Sequence, residues 1–229
     1  MKMIHSFRLL VAFAALAIAS ISAQAATITL TYQNNLTAPS GTVSPLGSKR
    51  ILAGEFNFAS SANNTGIAEW NTALNAFCVE LDEELEPSST TYNVTSYINP
   101  ANFGYQGTLV DRLFSTYYEE SQTSANKSAA FQLILWEMVS EYPNNPGSLF
   151  SGSFTSSSFN GARNIASNWL GNVVTGTNVS VGKYDYHLLT TDGSQDLIAV
   201  TKASVPEPTS ILLMLTGLFA LFRARRRVR

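Results

Sequence analysis

The sequence predicts an α+β fold, which we interpret as a β-sandwich or barrel-like sheet with a helical insertion. Two observations lead to this prediction. Segments rich in β-branched and aromatic residues occupy both ends of the region 26–204, and segments with helical spacing lie between them. Strands, then helices, then strands are typical of α+β domains. A region of this size fits one domain, and it contains no internal repeat.

The first half of this region has the alternating pattern of strands. In the segment 27–32, for example, threonine alternates with isoleucine, leucine and tyrosine. We predict strands at 27–32, 50–59, 73–81 and 90–98, with turn-rich chain at 34–45. Three more strands are predicted after the helices, at 178–181, 184–190 and 197–202.

Three helices are predicted in the middle of the region. They begin at Thr108, Ser124 and Asn160, and a loop rich in Gly, Ser and Asn spans 143–158. Asp111 stands three residues after Thr108, as in a capping box. The second helix runs to about residue 140 and is apolar all round over 129–136, which indicates burial. Gly171 is expected to end the third helix.

The first 25 residues have the pattern of a secretory signal peptide. Lys2 and Arg8 precede an apolar run over 9–21, and the tripeptide 23–25 is a small-x-small cleavage site. The apolar run is short for a membrane span, which argues against an uncleaved anchor helix. We therefore interpret residues 1–25 as a cleaved signal peptide.

The last 25 residues, 205–229, fall into three consecutive parts. Pro206-Glu207-Pro208 comes first, and an apolar run over 211–222 follows. The apolar run is shorter than the roughly 20 residues of a comfortable helical span. Arginines at the end are expected to stay on the cytoplasmic side of the inner membrane. This cluster consists of Arg223, Arg225, Arg226, Arg227 and Arg229.

This tripartite tail resembles the PEP-CTERM sorting signal of Gram-negative, matrix-producing bacteria. The resemblance covers only about the last 25 residues, a length in keeping with short processed tails. It implies processing by an exosortase, a membrane peptidase that removes the tail near the motif. The protein would then pass through an inner-membrane intermediate to the cell surface or the extracellular matrix.

The charge of the region 26–204 excludes one class of partner. Seven of the 14 basic residues lie in the first or last 25 residues, whereas only Glu207 of the 16 acidic residues does. The region between them has 7 basic and 15 acidic residues, a net charge near −8. Such a chain repels phosphates, so we expect no nucleic-acid partner.

Two residues of the region 26–204 stand out chemically. Cys78 is the one cysteine of the chain, and an unpaired cysteine in an exported protein indicates a reactive thiol or an intermolecular link. Strand alternation places it on the face opposite to Phe77 and Val79. Gln132 is the one polar residue of the apolar run 129–136. A buried amide needs partners, which it finds either in nearby backbone or by forming a thioester with a cysteine held in contact.

The residues around this pair resemble the thioester-domain family. The family combines an aromatic-Cys-aliphatic-acidic strand, here Phe77-Cys78-Val79-Glu80, with a helix that carries Gln ahead of an aliphatic-Trp-Glu run, here 130–137. Phe131 and Ile134 stand where the family often has Thr and Ala. The resemblance implies that Cys78 supplies the sulfur and Gln132 the acyl carbon of a thioester. It also implies adhesion to a surface through amines.

Other site classes have weaker support. The acidic run 80–86 is expected to be solvated; a calcium site is the alternative, although the run lacks the usual loop spacing. Trp136 and Trp169 are expected in the core, and Glu137 is expected to be exposed or hydrogen-bonded. Together with Glu141, one helical turn away, Glu137 could instead lie near the reactive pair.

Most enzyme classes are disfavoured. His187 is the one histidine of the region 26–204, which excludes a His-based metal cluster and leaves any Ser-His-Asp triad to that residue. No phosphate loop or dinucleotide fingerprint is present, so we expect no cofactor. Composition does not exclude a glycosidase, but no carboxylate pair is set at strand ends. We expect neither a metal nor a catalytic residue for turnover.

Two functions remain open from the sequence. In the first, a surface or matrix protein bonds covalently to surface amines or to exopolysaccharide through Cys78 and Gln132. In the second, a structural or glycan-binding matrix protein acts without covalent chemistry, and Cys78 is a buried free thiol. A thioester is cleaved by small amines, whereas a free cysteine is not.

Overall fold

The computed structural model describes residues 25–33, 38–44, 46–97, 107–142, 144 and 146–203. The predicted signal peptide, except its last residue, and the sorting tail lie outside the described residues. Within the described ranges, no helix is both long and apolar enough to cross a membrane.

The central element of the described structure is a closed barrel of six antiparallel strands. The strands are β1 (Thr27–Tyr32), β4 (Phe56–Ser61), β5 (Ala73–Cys78), β6 (Thr90–Tyr97), β8 (Tyr184–Thr190) and β9 (Leu197–Lys202). Their order around the barrel is β1, β4, β5, β9, β8 and β6, and β6 pairs with β1 to close it. Closure removes the free sheet edges at which other chains could pair.

A second, smaller sheet lies beside the barrel. It contains β3 (Arg50–Leu52), β2 (Ser40–Ser44) and β7 (Thr155–Ser157), in that order. Gly41 lies in its central strand, where a Cβ atom would come 2.2 Å from the Ser157 carbonyl oxygen. Only glycine therefore permits β2 to lie this close to its neighbour.

Three helices occupy the described chain between β6 and β8, with β7 between the second and third. They are α1 (Gly107–Ser121), α2 (Ala125–Glu141) and α3 (Ala162–Thr175), and a short 3-10 helix spans Ala68–Trp70. Helix α2 begins where the Ser124 hydroxyl accepts a hydrogen bond from the Lys127 backbone N–H. It is buried on all sides over 129–138, as its apolar run predicts.

The barrel prediction is confirmed, and the alternative of a sandwich is not. Several strand boundaries are wrong, however. The predicted turn at 34–45 contains strand β2, the predicted strand at 50–59 is divided between β3 and β4, and the loop at 143–158 contains β7. No strand forms at 178–181. The missed strands are short ones of the smaller sheet, whose Ser- and Gly-rich segments have turn-like composition.

Two predicted helix ends are also wrong. Helix α1 already includes Thr108, and Asp111 is buried inside it rather than completing a cap. The Asp111 carboxylate accepts hydrogen bonds from the Gly182 backbone and the Tyr186 hydroxyl. Helix α3 continues past Gly171 to Thr175 and ends at Gly176, whose φ of 73° is the left-handed conformation that glycine adopts readily.

Candidate functional site: a buried cysteine and glutamine

Cys78 is the last residue of β5, and at this position the strand has a partner strand on one side only. On one side, it pairs with Leu197 of β9. On the other side, β4 ends its pairing at Phe56, opposite Ala76, and therefore offers Cys78 no strand partner. The backbone N–H and C=O of Cys78 thus need another partner.

The side chain of Gln132 supplies that partner from helix α2. The Cys78 backbone N–H donates to Gln132 Oε1 at 3.0 Å, and Gln132 Nε2 donates to the Cys78 carbonyl oxygen at 2.8 Å. The carboxamide therefore pairs with Cys78 as the missing strand residue would. Both residues are wholly buried, with 0% of their surface exposed. The structure thus brings the two predicted site residues together across 54 positions of sequence.

An aromatic pair holds the strand and the helix at this distance. Phe77 precedes Cys78 and Phe131 precedes Gln132, and their rings stack with centroids 4.5 Å apart at an interplanar angle of 29°. Phe114 of α1 packs edge-on against Phe131 at 4.8 Å. Stacked and edge-on aromatic pairs stabilise beyond their buried area. The large residue at 131 therefore fixes the position of the Gln132 carboxamide relative to Cys78.

The thiol of Cys78 contacts a residue that the sequence did not indicate. Its Sγ donates to Gln195 Oε1 at 2.8 Å. The predicted placement of Cys78 on the face opposite to Phe77 and Val79 does not separate an exposed side chain from buried ones, because all three side chains are buried. Burial raises the pKa of the Cys78 thiol well above its usual range, and the negative charge of Glu80 raises it further. The thiol is therefore protonated at neutral pH.

Gln195 lies in the turn between β8 and β9, and its backbone is held on both sides. The Ser194 hydroxyl accepts from the Glu86 backbone N–H, and the Asp196 backbone N–H donates to the Glu80 carboxylate, each at 3.0 Å. The Gln195 side chain also donates from Nε2 to the Glu80 carbonyl oxygen at 3.0 Å. No local sequence pattern could have identified Gln195, because it meets Cys78 only through the pairing of β5 with β9.

A cavity of about 320 Å³ lies next to the buried pair. We call it the apolar cavity, because most of its wall is aliphatic or aromatic. Trp136, one helical turn after Gln132, and Gln195 both line it. The indole Nε1 of Trp136 is buried and has no hydrogen-bond partner in the described chain. Other residues of the wall include Leu46, Ile51, Phe56, Leu81, Glu83 and Lys49.

The other residues that the sequence indicated as candidates are exposed, packed in the core or hydrogen-bonded to a loop. Most of the acidic run 80–86 is exposed, and no group of three or more potential metal ligands occurs among the described residues. Trp136 and Trp169 are in the core, 2% and 7% exposed, as predicted. Glu137 is buried and accepts hydrogen bonds from the backbone of Gly147 and Ser148, so it fixes that loop.

His187 is a buried barrel residue that contacts two hydroxyl groups and an aromatic ring. Its Nδ1 contacts the Ser96 hydroxyl at 2.8 Å, and its Nε2 contacts the Thr201 hydroxyl at 2.9 Å. Burial lowers the pKa of the imidazole, while the charge of Asp185 opposes that shift. The ring also packs edge-on against Trp70. These contacts join β8 to its two neighbours in the barrel.

Asp196, next to Gln195, makes the stability of the fold depend on pH. Partial burial, and then the charge of Glu80, raise its carboxyl pKa from 3.8 to about 6. Because the folded state binds this proton more tightly than the unfolded chain, stability falls as the pH rises from about 4 to about 6. We expect Asp196→Asn to remove this decline and to raise Tm at pH 8 by about 1–3 °C, since the carboxylate is only partly buried.

Thermal melts of wild type and Asp196→Asn from pH 4 to pH 8 check this prediction. The amide can still accept the hydrogen bond that the Thr191 backbone N–H donates to Asp196. A variant whose Tm follows the wild-type pH profile throughout would contradict the shifted pKa.

The arrangement has the components of an acyl-transfer site. A thiol and a carboxamide belong to residues in direct contact, and the Cys78 N–H points at the carbonyl oxygen on which negative charge would develop during attack. Both residues are wholly buried and stacked aromatic rings hold strand and helix together, which favours reaction between groups that react slowly in water. The apolar cavity is connected to this pair through Gln195, which lines the cavity and contacts the Cys78 sulfur.

Comparison with known proteins identifies one family motif. The model of the PEP-CTERM protein-sorting motif matches residues 204–227, which lie beyond the described part of the chain. No curated protein matches the sequence.

Two solved structures are similar to the chain. The N-terminal thioester domain of a surface protein from Clostridium perfringens is 13% identical, with a TM-score of 0.45, and the match covers 77% of this chain and 99% of that one. The N-terminal domain of the Streptococcus pyogenes pilus tip adhesin Cpa is 13% identical, with a TM-score of 0.47 and coverage of 80% and 97%.

The match to the family model confirms the predicted sorting tail as a motif. The match, over residues 204–227, includes Pro206-Glu207-Pro208 and most of the arginine cluster. The chain carries a PEP-CTERM protein-sorting motif, which implies export and membrane-associated sorting toward the cell surface by an exosortase-type peptidase.

Proposed function

We propose that the chain is an exported surface or extracellular-matrix protein that attaches covalently to amines through an internal thioester between Cys78 and Gln132. One observation carries this proposal: the buried Gln132 carboxamide is hydrogen-bonded in both directions to the backbone of the one cysteine. A glutamine needed only for packing could be replaced by an apolar residue in a run that is otherwise apolar. Here, its functional group is held against Cys78.

Thioester formation exchanges nitrogen for sulfur on one carbon. The Cys78 Sγ bonds to the Gln132 Cδ, the Cδ–Nε2 bond breaks, and the thiol proton leaves with the nitrogen as ammonia. In the tetrahedral intermediate, Oε1 carries negative charge, and the Cys78 N–H stabilises it. The raised pKa of the thiol makes the thiolate scarce, so we expect the bond to form slowly, once per molecule, during or after folding.

Attachment consumes the thioester. The nitrogen of an incoming amine bonds to Gln132 Cδ, the C–S bond breaks, and a proton from the amine returns to the sulfur. The product is an N-substituted amide, in which the nitrogen of the target stays bonded to Gln132 Cδ. The protein is accordingly a single-turnover crosslinker rather than an enzyme.

A fluorescent primary amine tests this activity. Purified protein that lacks the signal peptide and the tail is incubated with the amine, and the labelled peptide is identified by mass spectrometry. We expect one label per molecule, located at Gln132. Label at other glutamines in the same amount, or no label, would contradict the proposal.

Removal of the arginine cluster is expected to block maturation. The cluster holds the end of the tail in the cytoplasm, so that the motif is presented to the peptidase from the other side of the inner membrane. Without residues 223–229, most of the protein should keep its tail and remain in the membrane fraction. Immunoblots of cell fractions measure this result, and a variant with five lysines in place of the arginines tests whether charge alone suffices.

A maturation yield equal to that of the wild type, after deletion of the cluster, would contradict the proposed role of the arginines. Loss of maturation in the lysine variant as well would mean that the guanidinium groups themselves are recognised.

A non-covalent function has its own supporting observation. A second cavity, of about 380 Å³, is lined by the buried carboxylate of Glu55 together with amide and hydroxyl side chains, including Asn75 and Gln122. Such a wall suits a hydroxyl-rich ligand such as a glycan. Protein that takes up no amine but binds exopolysaccharide, and loses this binding on Glu55→Gln, would favour this alternative.

A further inference from the structure

We propose that Gln195 is a gate between the apolar cavity and the Cys78–Gln132 pair, held closed by the thiol proton of Cys78 and released when the thioester forms. The release step rests on the proposed function, whereas the closed state does not. Gln195 is thus a positioning residue, since it acts on access to the reacting atoms.

The first reason is burial. Cys78 and Gln132 have no exposed surface, so an amine cannot reach them unless a neighbouring group moves. Gln195 belongs both to the wall of the apolar cavity and to the contacts of the Cys78 sulfur. Movement of this one side chain would therefore open a path from the cavity to the sulfur.

The second reason is the way in which Gln195 is held. Its backbone neighbours are fixed: the Asp196 carbonyl accepts from the Val79 backbone N–H at 3.0 Å, and Ser194 contacts the Tyr92 hydroxyl at 3.0 Å. Its side chain accepts a hydrogen bond from the Cys78 thiol and donates one to the Glu80 carbonyl oxygen. The gate consequently opens by rotation of the Gln195 side chain, while the backbone stays in place.

The third reason is a change in hydrogen bonding that the reaction itself causes. A thiol donates a hydrogen bond, but the sulfur of a thioester has no proton to donate. When the thioester forms, Gln195 Oε1 loses its donor, and the side chain keeps only the hydrogen bond to Glu80. Gln195 is only partly buried, so its side chain can turn toward the cavity, where water replaces the lost donor.

The closed state is tested in protein that cannot form a thioester. In Gln132→Glu, which is also the product of thioester hydrolysis, Cys78 remains a thiol. We expect iodoacetamide to alkylate this thiol slowly, and Gln195→Ala in the same background to raise the rate at least about tenfold, since both hydrogen bonds of the gate are lost. Gln195→Met, with similar length but no amide, should behave like Gln195→Ala. Gln122→Ala, which alters the other cavity, is the matched control.

The released state is tested with methylamine on protein that has the native Gln132. Because the gate is already free in the thioester, Gln195→Ala should change the rate of cleavage by about twofold or less. Equal alkylation rates with and without Gln195 would overturn the gate. A tenfold faster cleavage by methylamine in Gln195→Ala would overturn the proposal that formation of the thioester releases the Gln195 side chain. If wild-type protein contains no thioester, the proposed function fails, and the alkylation rates still decide the closed state.

Discussion

Cys78→Ala is expected to abolish covalent amine capture completely while leaving the protein folded. The variant lacks the sulfur, so Gln132 stays an ordinary amide that amines do not attack at a measurable rate. The lost sulfur contacts should lower the free energy of unfolding by only about 1–2 kcal/mol, because Cys packs as a small hydrophobe. Labelling by a fluorescent amine, retention of the protein on cells and a thermal melt measure the three effects.

A matched control separates the thiol from the leaving group. Gln132→Glu keeps the Cys78 thiol but has no nitrogen to expel, so it should also fail to capture the amine. Surface retention of Cys78→Ala equal to that of the wild type would show that attachment does not depend on the thioester. Labelling of the alanine variant at residue 132 would contradict the proposed chemistry itself.

Added to Cys78→Ala, in which Gln132 keeps its amide, Gln132→Leu is expected to cause a large loss of stability. The backbone N–H and C=O of residue 78 would both be buried without partners, because the pairing of β4 with β5 stops at Phe56 and offers no replacement. Each orphaned group costs about 1–3 kcal/mol, so the free energy of unfolding should fall by about 2–6 kcal/mol. Denaturant titrations monitored by tryptophan fluorescence measure this change.

The same experiment has an internal comparison. Gln132→Glu retains an acceptor for the Cys78 N–H, and its carboxyl group, neutral when buried, can donate to the Cys78 carbonyl. It should therefore lose less stability than Gln132→Leu, by at least about 1 kcal/mol. Equal unfolding free energies for Cys78→Ala with and without Gln132→Leu would mean that the carboxamide does not replace a strand partner.

The central pair could be predicted from the sequence because each of its members breaks a local pattern. Cys78 is the one cysteine of an exported chain, and Gln132 is the one polar residue of an apolar helical run. Burial of the run over 129–136 follows from its composition alone, and the structure confirms it. Ser124 likewise begins its helix as predicted.

Features that depend on distant pairing could not be predicted. Gln195 meets Cys78 because β5 pairs with β9, and Asp111 meets Gly182 because α1 packs on the chain before β8. In each case, the residue lies in a segment of ordinary local composition. Strands β2 and β7 were missed for a related reason, since they are stabilised by pairing with each other rather than by apolar alternation.

Phe131, which stands where the thioester-domain family often has Thr, has a clear structural role in this protein. Its ring stacks on Phe77 beside Cys78. We infer that the spacing of strand and helix at this site is set by the stacked rings, whose removal would loosen the contact between Cys78 and Gln132.

The intact mass of the purified protein, measured without prior exposure to amines, tests the central claim most directly. If Cys78 and Gln132 form a thioester, the mass is lower than the sequence predicts by one ammonia, and the protein has no titratable thiol until methylamine is added. Methylamine then raises the mass by one molecule of the amine. A mass equal to that of the unmodified chain, with a thiol that titrates after denaturation, would contradict the thioester.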